Sequence, residues 1–266
     1  HMSYVSARPM VPAHGRRPAT STLASVFPRG FGDVRFDRAV ADHVLVAVFM
    51  LDDWQAWTDR AFALLDARER MRVERQRRDA HRDSLALAYA LHRLFLSRAL
   101  ELPLEDVPLA RDARGRPVLD GVVADTSLAH ADAHVAVAVS LHGAVGVDIE
   151  PADRAVVMPE IAERICHGDE LARISGLHDA QRAAGLLDLW VRKEAYLKAA
   201  GVGLEREMDM FALPEGEAQA LHPGHAMRVG TDLLSLGHDI VCAVAKASDV
   251  ACVAGRLRPM LEGGAP

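Results

Sequence analysis

Four side chains in two short stretches have the types and the spacing to handle a phosphate ester. Asp148 and Glu150 stand two apart in Gly146-Val147-Asp148-Ile149-Glu150. In an extended strand this spacing puts both carboxylates on one face and Ile149 on the other, with the two backbones ~7 Å apart. Like charges at that separation repel unless something positive sits between them. An all-oxygen pair suits Mg²⁺, which completes its shell with water and substrate phosphate. A lone D-x-E is common at solvated strand ends, but Val147 and Ile149 mark this strand as otherwise buried, and Pro151 ends it. The second stretch is Trp190 to Leu204, where Trp190, Glu194 and Lys198 recur every four residues and so lie along one stripe of a helix. Lys193 and Leu197 occupy neighbouring rows, and Gly201 and Gly203 supply the helix stop. Taken alone, the stripe has two readings: a surface Glu–Lys pair beside a half-buried Trp, or a carboxylate and an ammonium facing one ligand.

A third feature is basic. Between Arg68 and Arg82 there are seven arginines against three acidic residues. Such a run is either a solvated helix face or an anion site in which planar guanidinium forks meet phosphate oxygens.

The elements that must position these groups follow from periodicity. His43–Met50, HVLVAVFM, reads as a buried strand. Asp83 to Leu100 reads as a helix with Leu87, Leu91 and Leu94 on its apolar stripe, ended by Pro103 and Pro108. Arg114-Gly115-Arg116-Pro117 is a turn into an extended piece. The runs 134–140 and 145–150 read as strands, and the short His142-Gly143 connection predicts that they pair as a hairpin. Helices are expected over 159–175 and 180–200, then strands over 226–229, 233–236 and 240–245, with Gly237-His238-Asp239 as the last turn. Without an even βαβ rhythm, the class is α+β with antiparallel pairing.

Composition bounds the rest. The chain has 266 residues, 50% hydrophobic and 26% charged, an ordinary globular balance with few aromatics and an aliphatic core. A net charge of −6 argues against a nucleic-acid partner. The cysteines 166, 242 and 252 have no metal-ligand spacing and suit a reducing compartment. With no long apolar run and no signal-peptide pattern, the expectation is a cytoplasmic protein that does not engage a membrane.

GVDIE followed 40 residues later by W-x-x-K-E-A-x-x-K resembles the Sfp-type 4′-phosphopantetheinyl transferases, and the resemblance runs from about Arg68 to the C-terminus. Either motif alone is weak; together, in this order and at this spacing, they are specific. The resemblance implies transfer of the phosphopantetheine arm of coenzyme A to a serine of an acyl or peptidyl carrier protein, as in fatty-acid, polyketide and nonribosomal-peptide synthesis. It implies Mg²⁺ (or Mn²⁺) as cofactor and a monomer. It also implies two similar α+β halves in pseudo-twofold relation with the active site at their junction. The chain then divides into an irregular arm 1–40, an N-terminal half 41–142, a C-terminal half 143–258 and a tail 259–266.

Carried over residue by residue, Asp148, Glu150 and Glu194 match the metal carboxylates, and Glu194 also the general base. Lys198 and Lys193 match phosphate-contacting lysines, and Trp190 a packing tryptophan. His130 matches the histidine on the 3′-phosphate, while Arg116 and Arg70 stand where the family has nucleotide-binding lysines. The sequence departs at Ser127-Leu128-Ala129-His130-Ala131, which keeps only the histidine and one polar residue of its motif, and at Ala67, where a second basic residue is expected and Arg68 is the substitute. The same residues would serve two other functions: a Mg²⁺-dependent phosphohydrolase acting on coenzyme A or a related nucleotide, or a non-catalytic coenzyme A-binding regulator.

Overall fold

The computed structural model describes residues 21–202 and 206–260. The first twenty residues of the expected arm, Gly203 and Leu204 of the helix stop, and most of the expected tail lie outside the described residues. What is described of the arm is packed: α1 (Leu23–Val26), the hairpin β1 (Gly30–Phe31) and β2 (Val34–Arg35), and α2 (Phe36–Ala39) bury Leu23, Val26, Phe27 and Phe36.

The expected long strand is β3 (His43–Met50), followed by a 3₁₀ turn Leu51–Trp57, α3 (Thr58–Ala61) and α4 (Ala67–Glu74). α4 starts on a capping box in which Asp66 and Glu69 exchange side-chain and backbone bonds. The central helix α5 runs Asp79–Ala99, and the β4 (Leu109–Arg111) to β5 (Pro117–Leu119) hairpin carries the Arg114–Arg116 turn. Next come β6 (Asp125–Ala131), β7 (His134–Ser140) and β8 (Gly146–Pro151). A 3₁₀ segment Ala152–Ile161 leads to α6 (Ala162–Ile165), α7 (Gly168–Ser175) and the long α8 (Asp179–Ala200). The chain closes with β9 (Gln219–Ala220), β10 (Arg228–Leu233), β11 (Ile240–Ala247) and β12 (Ala251–Leu257).

Two four-stranded sheets result, ordered β12-β3-β7-β6 and β8-β11-β10-β9. The class is α+β, and all pairings are antiparallel except β12 against β3. The expected hairpin between β7 and β8 is not formed. β7 pairs with β3 and β6, β8 pairs with β11, and the His142-Gly143 link passes from one sheet to the other. The hairpin is instead β6–β7, turned at Asp132 with φ 51°. Residues 233–236 form no strand of their own, and the turn at Gly237–Asp239 is followed by a further strand, β12, that joins the N-terminal sheet.

Alternation along the strands stacks the layers. Leu45, Ala47 and Phe49 of β3 face α5, while Val44, Val46 and Val48 meet Val147 and Ile149 of β8 and Cys242 and Val244 of β11 between the sheets. The outer face of the second sheet, with Ala243 and Ala245, packs on α8. Because Val147 and Ile149 point inward, Gly146, Asp148 and Glu150 must point at α8. A Cβ on Gly146 would overlap the carbonyl of Ala195, so the absence of a side chain there is what lets strand and helix approach.

Candidate active site

The β8–α8 contact unites the two motif stretches. Lys198 Nζ lies 2.6 Å from Asp148 Oδ1, and both residues are largely withdrawn from water. One turn along α8, Glu194 is close enough to Asp148 and Glu150 for their charges to raise its pKa, after the larger effect of burial, with Lys198 opposing. Asp148 is raised chiefly by burial, against the pull of Lys198. Glu150 is raised by burial and by Asp148, against Arg154, whose Nη1 sits 3.3 Å from Glu150 Oε2. The guanidinium of Arg154 also lies 5.7 Å from the centre of the Trp190 ring. Arg154, four residues past Glu150, escaped sequence reading; the i, i+4 acid–base spacing into a helical segment was its signal.

Burial raises the pKa of all three carboxylates, and Asp148 Oδ2 is buried with no hydrogen-bond partner. Oxygen-only donors with an orphaned oxygen fit a hard divalent cation. As the side chains stand, however, no group of three or more His, Cys, Asp or Glu among the described residues is gathered to hold a metal ion. Lys198 stands against Asp148, and Arg154 against Glu150.

A cavity of about 370 Å³ opens beside Glu194, lined by Ile161, Arg164, Trp190, Leu197, Arg206 and Met208. A second, of about 440 Å³, lies at the sheet junction next to Ala199 and Ala200 and includes Arg116 and Asp125. Arg116 pairs with Asp125 at 2.6 Å and packs over Gly201, the left-handed cap of α8 with φ 68°. The Arg114–Arg116 turn therefore meets the C-terminal end of α8.

Other expected residues are placed differently. Arg70 is exposed on α4 and donates to the Ala63 carbonyl; it is Arg72 that lies against Gly115, beside Arg116. His130 is on an exposed position of β6, where crowding protein lowers its pKa against the opposing effect of Asp132. Ser127 is buried and accepts from the Val147 backbone, so its hydroxyl ties β6 to β8. Lys193 departs most. It is 0% exposed, and its Nζ reaches Glu170 Oε2 at 2.6 Å and the carbonyls of Ile165, Met208 and Phe211 at 2.9, 2.7 and 2.7 Å. An ammonium has three protons, so four acceptors leave none for a phosphate.

The family profile described as "4′-phosphopantetheinyl transferase superfamily" matches residues 144–245. Residues 144–245 are thus similar in sequence to that superfamily. The matched stretch holds β8, α8 and β11, hence all four of Asp148, Glu150, Glu194 and Lys198. Among curated relatives, the chain is 28% identical over 144 residues to the 4′-phosphopantetheinyl transferase gsp of Aneurinibacillus migulanus, covering 54% of this chain and 58% of that one. It is 26% identical over 213 residues to the 4′-phosphopantetheinyl transferase HetI of a Nostoc species, covering 78% and 88%. It is 29% identical over 146 residues to the 4′-phosphopantetheinyl transferase psf-1 of Bacillus pumilus, covering 52% and 60%. The match thus spans less than two thirds of gsp and of psf-1. Among the described residues no helix is long and apolar enough to cross a membrane.

Proposed function

We propose that this protein moves the 4′-phosphopantetheine arm of coenzyme A onto a serine of an acyl or peptidyl carrier protein and releases adenosine 3′,5′-bisphosphate. The observation that carries the reading is the meeting of Asp148, Glu150, Glu194 and Lys198 on one strand–helix face inside the stretch similar to that superfamily. We further place it in the cytoplasm as a monomer served by Mg²⁺, with Mn²⁺ as a substitute.

In this reading the serine oxygen forms a bond to the phosphorus that carries the pantetheine, and the bond from that phosphorus to the bridging oxygen breaks. The serine proton passes to the Glu194 carboxylate, and the electron pair leaves with the bisphosphate. A raised pKa makes Glu194 a better base than a solvated carboxylate, provided it is ionised at the working pH. Lys198 is placed to neutralise charge gathering on the leaving phosphate once its hold on Asp148 is relaxed. A divalent cation held by Asp148, Glu150 and Glu194 would neutralise and polarise the pyrophosphate. Arg116, with Arg72 beside it in the place expected for Arg70, and His130 supply the basic and hydrogen-bonding groups for the nucleotide end. The apolar wall of the cavity beside Glu194 suits the pantetheine arm.

A phosphohydrolase would use the same groups but deliver water. The separating experiment is release of adenosine 3′,5′-bisphosphate from coenzyme A with and without an apo carrier protein. Release that depends on the carrier supports transfer; release without it supports hydrolysis.

A further inference from the structure

Lys193 directly precedes Glu194, yet its ammonium points into the protein. Its four acceptors lie on three separate pieces of chain. The Ile165 carbonyl ends α6, next to Arg164 and four residues from Ile161, which line the cavity beside Glu194. The carbonyls of Met208 and Phe211 belong to the strap after α8, whose residues 206–209 also line that cavity. The fourth acceptor, Glu170, is itself spent on structure: its Oε1 takes the Leu213 amide at 2.7 Å, and its Oε2, which holds Lys193, also takes the His167 amide that starts α7. Arg192, one residue earlier, extends the fastening by donating to the carbonyls of Leu213 and Pro214 and to the Thr231 hydroxyl. Phe211 packs against Tyr196 of α8 at a tilt, and the Arg206 guanidinium lies 4.1 Å from its ring centre, so the strap is also held to α8 by its aromatic side chain.

We infer that Lys193 is a positioning residue that fastens together two segments lining the Glu194 cavity and so shapes it for the pantetheine arm, and is not a ligand of phosphate. A buried ammonium held by three carbonyls and a carboxylate is rigid, because releasing a carbonyl costs that buried oxygen its ammonium donor. The consequence is specific. Losing Lys193 alters the recognition of the arm while leaving the nucleotide and its phosphates as they were. The inference rests on the proposed function for the identity of the ligand, and the geometry supplies the role.

The test compares two ligands by calorimetry: coenzyme A, and adenosine 3′-phosphate 5′-diphosphate, which keeps every phosphate and lacks the arm. The variants are Lys193→Met and, in case that chain does not fold, Glu170→Gln, which keeps the shape and weakens the clamp from the other side. The expected result in the folded variant is coenzyme A binding weakened about tenfold and diphosphate binding changed less than twofold. Steady-state rates with a carrier protein should show KM for coenzyme A rising while kcat falls less. Equal weakening of both ligands would restore Lys193 to the phosphates and overturn the inference, and no change in either would reduce it to a fold-stabilising residue and overturn it equally. Failure of the unaltered protein to bind either ligand would instead refute the proposed function.

Discussion

Lys198 and Asp148 are 50 positions apart, and Nζ meets Oδ1 at 2.6 Å across the interface of α8 and β8. This contact decides between the two readings of the Trp190–Lys198 stripe. Glu194 and Lys198 sit one turn apart, but the lysine pairs with the strand carboxylate rather than with its helical neighbour. The stripe is therefore the helix side of a cluster whose strand side is Asp148 and Glu150, with Glu194 left in the repulsive field of both.

Separating the pair should show its worth. Lys198→Met leaves Asp148 buried with both oxygens unpaired and is expected to cost roughly 1–3 kcal/mol, less than a fully buried pair because Lys198 keeps partial exposure. Adding Asp148→Asn to it should recover part of that loss. A double-mutant cycle by chemical denaturation checks this, and strict additivity would contradict the pairing.

Glu194→Gln should divide activity from stability. Transfer should fall by about 10²–10⁴-fold if Glu194 is the base. Folding should strengthen at neutral pH, because a carboxyl whose folded pKa is raised favours the protonated fold: its contribution is fully present below the unfolded value and fades as pH rises through the raised one. Thermal melts of the ligand-free protein should thus show the variant ahead at pH 7–8 and level with the parent near pH 4. An unchanged melting temperature at pH 8 would refute this account of the repulsion.

A divalent cation should bind in competition with protons. Since the carboxyl pKa values are raised, Mg²⁺ or Mn²⁺ should bind progressively more weakly as pH falls from 8 to 5, and binding should release protons. Calorimetry in two buffers of different ionisation heat measures both effects. Binding retained by an Asp148→Asn/Glu150→Gln double variant would place the cation elsewhere.

Gly146→Ala should be severe for so small a change. The added methyl meets backbone, the Ala195 carbonyl and the Ala199 amide, which have no rotamer to yield. A loss of about 1–3 kcal/mol is expected, together with loss of transfer, as strand and helix are pushed apart. Full activity in the variant would contradict the close approach on which the site depends.

How much of this was legible beforehand differed by element. β3, α8 and the β8 carboxylates could be read because their patterns are local: a continuous apolar run, a four-residue stripe, an x-D-x-E alternation. The β7–β8 hairpin was misread because a short link looks the same whether it turns a strand back or carries it to a second sheet. β12 went unread because its pairing with β3 is parallel and spans about two hundred residues, and Gly255 interrupts its apolar pattern. Lys193 was misplaced for a related reason. Spacing along a helix fixes the row a side chain occupies, whereas the acceptors that bury it come from α6, α7 and the strap, far away in sequence. Gly146 carried a usable signal that went unexploited, since a glycine opening a buried strand points to close backbone contact.

The central claim is that the Asp148–Glu150–Glu194–Lys198 cluster transfers an arm rather than hydrolysing its donor. The direct measurement is intact-mass spectrometry of an apo carrier protein incubated with this protein, coenzyme A and Mg²⁺. A gain of one phosphopantetheine on the carrier serine, lost in Glu194→Ala and in Asp148→Ala, is the predicted result. An unmodified carrier across acyl and peptidyl types, with coenzyme A cleaved in the same tube, would contradict the account.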